Sequence, residues 1–432
     1  MRLDMHFHVV GRGKDISQVN ENVFFYPEDN NTLLTRVLYE LVEKYLGEAG
    51  ADFDQSGTVD TNEYFDLIYE SLSTSEEIEG VVLLGLDALW DPESGELDGV
   101  KTDLWVSNKF LAKKVKELND RLMNETDLQK RFFWGASVSP NRKDWREEME
   151  FVVNDPNAVL MKLIPSVQHI NLRDPKHKDY YESLAGNNMP LLCHVGPEYS
   201  FPEGIREKER DNFRFLDKPL EYGVTVIAAH CATPVFPIDK NETKEFGVFM
   251  RSANSGSKVH LWGDTSAFSL STRIPIVQEV LETLPSKWLV NGSDFPIPIE
   301  GWVHLPWVTH GITIQEYMEI KKTQNPLDRD VRIKRAHGFS DSILENAEKV
   351  LRLPRDIQAE KEDGSCPLSG KRQRRSGSDF QRRCRGIWPK EQRILKRVKK
   401  KVENRTNPFP LMWPLRSRAS PTLLNCQAGR PR

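Results

Sequence analysis

The sequence predicts an α/β protein folded as a (β/α)₈ barrel, the TIM-barrel architecture, with an insertion after its first strand and a C-terminal tail. Three observations carry that prediction. Eight short apolar runs recur through the first three hundred residues, most of them followed by a stretch of helical period. Strands that alternate with helices imply a parallel sheet, and a set of this size fits a closed barrel better than an open doubly wound sheet. No Gly-x-Gly-x-x-Gly opens a helix, which weighs against a dinucleotide-binding sheet.

The first run, 2–10, contains Asp4-Met5-His6-Phe7-His8. Residues two apart on a strand face the same side, so His6 and His8 project together. Two imidazoles on a rigid backbone make half of a divalent-metal site, or else a pair of strand histidines without a ligand. The next three runs are 80–89, 132–140 and 158–166; the last four are 189–196, 224–231, 259–268 and 288–296. Helical period fills 108–123, 142–153 and 274–284 between them. His194 ends the fifth run, His230 the sixth, and Asp294 follows the turn-like Asn291-Gly292-Ser293 at the end of the eighth. Any one of these alone reads as a strand-end polar group bonded to backbone. Together they converge, because the C-terminal ends of barrel strands open on one face, where such enzymes build their sites.

This pattern resembles the amidohydrolase superfamily, and within it the group that includes aminocarboxymuconate semialdehyde decarboxylase and resorcylate decarboxylases. Lys162-Leu163-Ile164-Pro165, Gly292-Ser293-Asp294-Phe295-Pro296 and Glu345-Asn346-Ala347-Glu348-Lys349-Val350-Leu351 carry the likeness further, over about 1–354. The resemblance implies one catalytic divalent metal held by His6, His8, His194 and Asp294. Such a donor set suits Zn²⁺, with Mn²⁺ or Fe²⁺ as alternatives. It further implies a metal-dependent hydrolase that uses metal-activated water on a small, carboxylate-bearing substrate. In that scheme Asp294 accepts the water proton, and His230 polarises the substrate or shuttles a proton. Asp4 is the expected partner orienting a ligating histidine. Non-oxidative decarboxylation on the same scaffold is the alternative chemistry. Lys162 stays open between an ordinary strand-end lysine and a carboxylated bridge between two metals.

The insertion, 28–75, has a signal of its own. Asp52, Asp54, Ser56, Thr58, Asp60 and Glu63 occupy the ligand positions of a twelve-residue EF-hand loop, with Gly57 at its sharp turn. Helical period flanks the loop at 33–46 and 64–72. The expectation is one structural Ca²⁺; an acidic loop that has lost its ion is the alternative. The same loop admits a third function, a calcium-dependent binding protein whose barrel no longer catalyses.

Composition divides the chain in two. The tail 355–432 has 21 Lys+Arg against 7 Asp+Glu, a net of +14, which leaves a net of −18 for residues 1–354. An acidic barrel is unsuited to nucleic acid. The basic tail is expected to be disordered, its partner unknown, either an arm for an anionic surface or an extension without a role. No apolar run is long enough for a membrane span, and the chain enters its first strand at once without a signal peptide. Cysteines at 193, 231, 366, 384 and 426 show no paired spacing, so a reducing cytoplasm is expected. A homo-oligomer is compatible with all of this. Glu198, Tyr199, Asp264, Ser266, Trp302, His304 and Trp307 are further pocket candidates from their places after strands.

Overall fold

The computed structural model describes residues 1–11, 13–25, 60–126, 129–270, 272–297 and 311–354. Eight parallel strands form one sheet in chain order: β1 (Leu3–His8), β2 (Gly80–Leu84), β3 (Arg131–Ala136), β4 (Ala158–Leu163), β5 (Leu191–Cys193), β6 (Val226–Ala228), β7 (Leu261–Asp264) and β8 (Leu289–Val290). Backbone bonds between β1 and the segment after β8 close the ring. Met5 N–H donates to Asn291 O at 3.0 Å, Asp294 N–H to His6 O at 2.8 Å, and His8 N–H to Phe295 O at 2.8 Å.

Helices α1 (Thr61–Thr74), α2 (Asn108–Glu125), α3 (Trp145–Asn154), α4 (Lys178–Gly186), α5 (Asp217–Glu221), α6 (Thr243–Ala253) and α7 (Ile274–Thr283) follow the first seven strands in turn. After β8 come α8 (Ile314–Lys322), α9 (Pro326–Ala336) and α10 (Ser342–Val350). The helical periods at 108–123, 142–153 and 274–284 thus reappear as α2, α3 and α7. In α2 the Ser107 side chain accepts from Phe110 N–H at the N-terminus, and Phe110, Leu111, Val115, Leu118 and Leu122 form the buried stripe. Full burial of each such side chain contributes about 1.5–3 kcal/mol. Among the described residues no helix is long and apolar enough to cross a membrane.

One apolar cluster draws Leu3, Val82, Phe133, Leu160, Leu192, Ile227, Trp262 and Val290 from the eight strands in turn, so it is the barrel interior. A second, larger cluster joins the outer strand faces to the helices. Between Asp4 and Phe7 the β1–β2 register shifts, a bulge. Met5 accordingly packs in the interior cluster and Phe7 in the outer one, although strict alternation would put them on one face. The bulge lets Met5 fill the barrel while His6 and His8 still turn into its mouth.

The exiting helix of the insertion is built into the barrel. Asp60 caps α1 by accepting from Asn62 and Glu63 N–H, and Tyr64, Phe65, Ile68, Tyr69 and Leu72 join the outer core. Tyr64 Oη donates to His8 O at 2.7 Å, tying α1 to the end of β1. Asp52, Asp54, Ser56 and Thr58, the helical period at 33–46, Trp302, His304, Trp307 and the tail 355–432 lie outside the described residues.

Candidate metal centre

β1 delivers His6 and His8 from the bulged end of the strand, and their Nε2 atoms stand 3.1 Å apart. Asp294 comes from the turn after β8, where its Oδ1 lies 3.4 Å from His6 Nε2 and 3.1 Å from His8 Nε2. Two local features place it. A Cβ at Gly292 would sit 2.5 Å from His6 Cβ, so only glycine lets the turn approach β1 this closely. Asp294 itself takes the left-handed region, with φ 66°. Such a conformation costs a residue with a side chain roughly 1–2 kcal/mol, and observed strain of this kind concentrates at functional sites.

His230 follows β6 in the same unusual region. His230, Cys231 and Ala232 have φ of 55°, 53° and 55°, three successive left-handed residues without a glycine. The turn brings His230 beside both other groups, with ring centroids 5.4 Å from His6 and 5.1 Å from His194. One ligand atom from each of His6, His230 and Asp294 fits within a 4.8 Å cluster. The structure therefore draws His230 closer to the donors than the predicted quartet required. His194 follows β5 and is buried, and its Nε2 has no hydrogen-bond partner among the described residues.

Carboxylates hold the rings from behind. His6 Nδ1 is hydrogen-bonded to Asp264 Oδ2 at 2.6 Å, whereas His194 Nδ1 has Glu198 Oε2 at 3.5 Å, near but without a hydrogen bond. An imidazole that gives its Nδ1 proton to a carboxylate presents the Nε2 lone pair, the arrangement that supports a metal ligand. Ser266 N–H donates to Asp264 Oδ1 at 2.7 Å, its hydroxyl donates there too, and His230 N–H reaches it at 3.3 Å. Asp264, at the end of β7, does for His6 what was expected of Asp4. Asp4 Oδ1 accepts instead from the backbone N–H of His6 at 3.1 Å and of Ser293 at 2.9 Å and so joins β1 to the β8 turn, while its Oδ2 has no hydrogen-bond partner among the described residues.

Protonation states follow from this packing. Burial pushes the His194 imidazolium down to about 4, against the pull of Glu198. Burial also lowers His6, with Lys162 adding to it, and lowers His230 well below the ordinary value, helped by Arg273. These three rings are neutral near pH 7 and keep lone pairs. Burial would raise Asp294, but His6, the His8 hydrogen bond and Lys162 hold it well below the carboxylate range. Asp264 is likewise held low against burial, by His6 first. Lys162, on β4, is 1% exposed with Nζ 3.3 Å from His6 Nε2, and burial lowers its pKa.

The donor set fits a divalent ion. His6, His230 and an anionic Asp294, all buried, bring two imidazole donors and one carboxylate donor within 4.8 Å of one another, with His8 Nε2 3.1 Å from Asp294 Oδ1 and the unpartnered His194 Nε2 in the same mouth. Next to it, Glu198 and Ala232 border a cavity of about 430 Å³, also lined by Tyr199, Arg206, Asp211 and Phe213. Of the pocket candidates, Asp264, Ser266 and Glu198 reach the donors, and Tyr199 lines the cavity. His169 and His177 do not join; they bond to Ile205 O at 2.6 Å and Asn171 O at 3.1 Å. Sequence reasoning missed Arg273, a buried guanidinium between β7 and α7.

The profile of the amidohydrolase family matches residues 4–353. Among solved structures, the chain is similar to an uncharacterized TIM-barrel protein from Bordetella bronchiseptica, at 14% identity and a TM-score of 0.45, covering 80% of this chain and 99% of that one. A 5-carboxyvanillate decarboxylase from Sphingomonas paucimobilis matches at 12% identity and a TM-score of 0.45, covering 82% and 99%. A probable 2-pyrone-4,6-dicarboxylic acid hydrolase from Acinetobacter baumannii matches at 14% and 0.42, covering 81% and 98%. No curated protein matches the chain in sequence.

Proposed function

The chain belongs to the amidohydrolase family and is an enzyme; from that premise we propose that it hydrolyses a C–O, C–N or C–C bond in a small, carboxylate-bearing molecule. His6, His8, His194 and Asp294 would hold the ion, Zn²⁺ by donor type, with Mn²⁺ or Fe²⁺ accepted by the same atoms. When bound, such an ion supplies Lewis acidity and makes water a nucleophile near neutral pH. The observation that carries the reading is the buried His194 Nε2, unpartnered among the described residues and neutral at pH 7 beside the His6–Asp294 pair. A buried polar atom left without a partner costs about 1–3 kcal/mol, so its retention calls for a ligand.

The chain's own groups then divide the proton work. Asp294 is anionic, and accepts the proton that the attacking water loses. His230 Nδ1 lies 3.3 Å from Ser266 O and 2.8 Å from Ser266 Oγ. The carbonyl can only accept, so the ring proton sits on Nδ1, and Nε2 is left to take up a proton and pass it to the leaving group. Asp264 fixes His6, and through Ser266 it also fixes His230. The mouth is thus set before substrate arrives.

Decarboxylation is the second reading, favoured by one observation. Lys162 is a buried lysine with Nζ 3.3 Å from His6 Nε2, placed to donate to a carboxylate drawn into the donor cluster. A panel of carboxylate-bearing esters, lactones and amides in ¹⁸O-labelled water separates the two. Product carrying one ¹⁸O supports hydrolysis, and His230→Asn is expected to lower kcat by roughly 10²-fold or more. Release of CO₂ without ¹⁸O in the product overturns hydrolysis in favour of decarboxylation. A Ca²⁺ on the loop ligands from Asp52 to Glu63 belongs to the same proposal as a structural ion, separate from the chemistry.

A further inference from the structure

We propose that Arg273 is the carboxylate-binding residue of this site: a guanidinium only 3% exposed, with one 3.3 Å hydrogen bond to Thr233 Oγ1 and an Nε unpartnered among the described residues. The inference rests on the hydrolase reading above and gives its substrate a recognition group.

Arg273 caps the start of α7, just after β7, so it stands at the mouth end of the barrel. Its hydrogen-bond partner, Thr233, donates its own Oγ1 proton to His230 O at 2.7 Å. The guanidinium is therefore two contacts from the left-handed turn that carries His230. Its charge bears on His230 and His194, and it feels the carboxylates of Asp294, Asp264 and Glu198. Among the described residues none of those three carboxylates hydrogen-bonds to it. They soften the cost of burying the charge without filling its donors.

An arginine offers five N–H donors in a planar fork that matches a carboxylate two-pronged. Folded proteins pair such a group when they bury it, because leaving one partner out is strongly destabilising. Here a fork is buried at the mouth end of the barrel and, among the described residues, left with most of its donors unspent. The local charge selects the sign and size of the ligand. Lys162 and Arg273 face Asp264, Asp294 and Glu198, which leaves one net negative charge. A divalent ion reverses it to one net positive charge, and a single carboxylate then brings the site to neutrality. A neutral substrate would leave the guanidinium unpaired.

Titration of the full-length protein with benzoate and with benzamide tests this, in chelator-stripped and Zn²⁺-loaded samples. The two probes share shape and differ in the carboxylate. Wild-type protein is expected to bind benzoate at least about 10-fold tighter in the Zn²⁺-loaded sample, the size expected of a charge-assisted two-pronged pair, with a smaller preference in the stripped sample, whose site carries one net negative charge. Arg273→Gln should bring the ratio near one in the metal-free sample with metal content and melting unchanged, and Arg273→Lys should fall between. A preference that survives in Arg273→Gln overturns the proposal, as does wild-type protein that binds both probes alike or neither. Since a buried-arginine variant can fail to fold, a crystal structure of wild-type protein with benzoate supplies a second readout. A carboxylate within about 3 Å of the guanidinium supports the assignment, and one seated elsewhere overturns it. Metal content measured on the same samples keeps the failures apart. Protein that holds its ion but ignores benzoate loses the arginine claim alone, and protein that prefers benzoate without ever holding an ion loses the metal reading alone.

Discussion

Ser266 is the smallest group on which the proposed proton transfer depends. Its hydroxyl donates to Asp264 and accepts from His230 Nδ1 at 2.8 Å, so one side chain joins the carboxylate that holds His6 to the ring that moves protons. Ser266→Ala should leave metal content and KM nearly unchanged while kcat falls by roughly 10-fold, because a neutral hydrogen bond that fixes a tautomer is worth about 1–1.5 kcal/mol. Ser266→Thr should restore most of it; a Ser266→Ala enzyme with wild-type kcat would show that the link does nothing for His230. At this scale the sequence was partly legible. His6, His8, His194, His230 and Asp294 stood out as polar residues within or at the ends of apolar runs. Asp264 and Ser266 could be named as pocket candidates, but not assigned to a ring, since that depends on which faces meet across strands. Arg273 was not legible at all. It is one of many cationic residues in the chain, and burial without partners is a property of packing that leaves no mark on a pattern.

Among the elements, β1 and α1 set the site most directly. The alternation of β1 was legible, but its bulge was not, because an extra residue in a strand changes register without changing composition. Both histidines still reach the mouth, although the shift spans Met5 and His6 and leaves Leu3 and Met5 together in the interior. The turn after β8 was legible as Asn291-Gly292-Ser293, and the need for glycine appears only against His6 Cβ. Helix α1 joins the barrel core through Tyr64, Ile68 and Leu72, and Asp60 and Glu63 at its first turn also belong to the expected calcium loop. An ion bound there would lock the start of a helix that is bonded to His8. Binding to the folded state alone adds about 2.7 kcal/mol at a hundredfold excess over Kd. Ca²⁺ should therefore raise the melting temperature, and Glu63→Gln should erase the increment while the catalytic metal stays. Melting that ignores Ca²⁺ would leave the loop as an acidic linker. Loss of the catalytic metal with Glu63→Gln would show the two sites to be coupled.

The whole molecule is organised around one end of a barrel. Alternating apolar runs made the eightfold architecture legible, because each strand must bury an inner face against the others and an outer face against a helix. Closure between β1 and the β8 turn is what brings the first histidines of the chain against Asp294, nearly three hundred residues away. Carboxylates behind the rings and lone pairs in front are the features on which the proposal of one divalent cation rests. Elemental analysis of the purified full-length protein, beside a His194→Ala variant of matched melting temperature, measures this directly. The account predicts about one equivalent of a transition metal in wild-type protein and a near-complete loss in the variant. Wild-type protein that stays empty after supplementation with Zn²⁺, Mn²⁺ and Fe²⁺, or a variant that keeps its full equivalent, would contradict it.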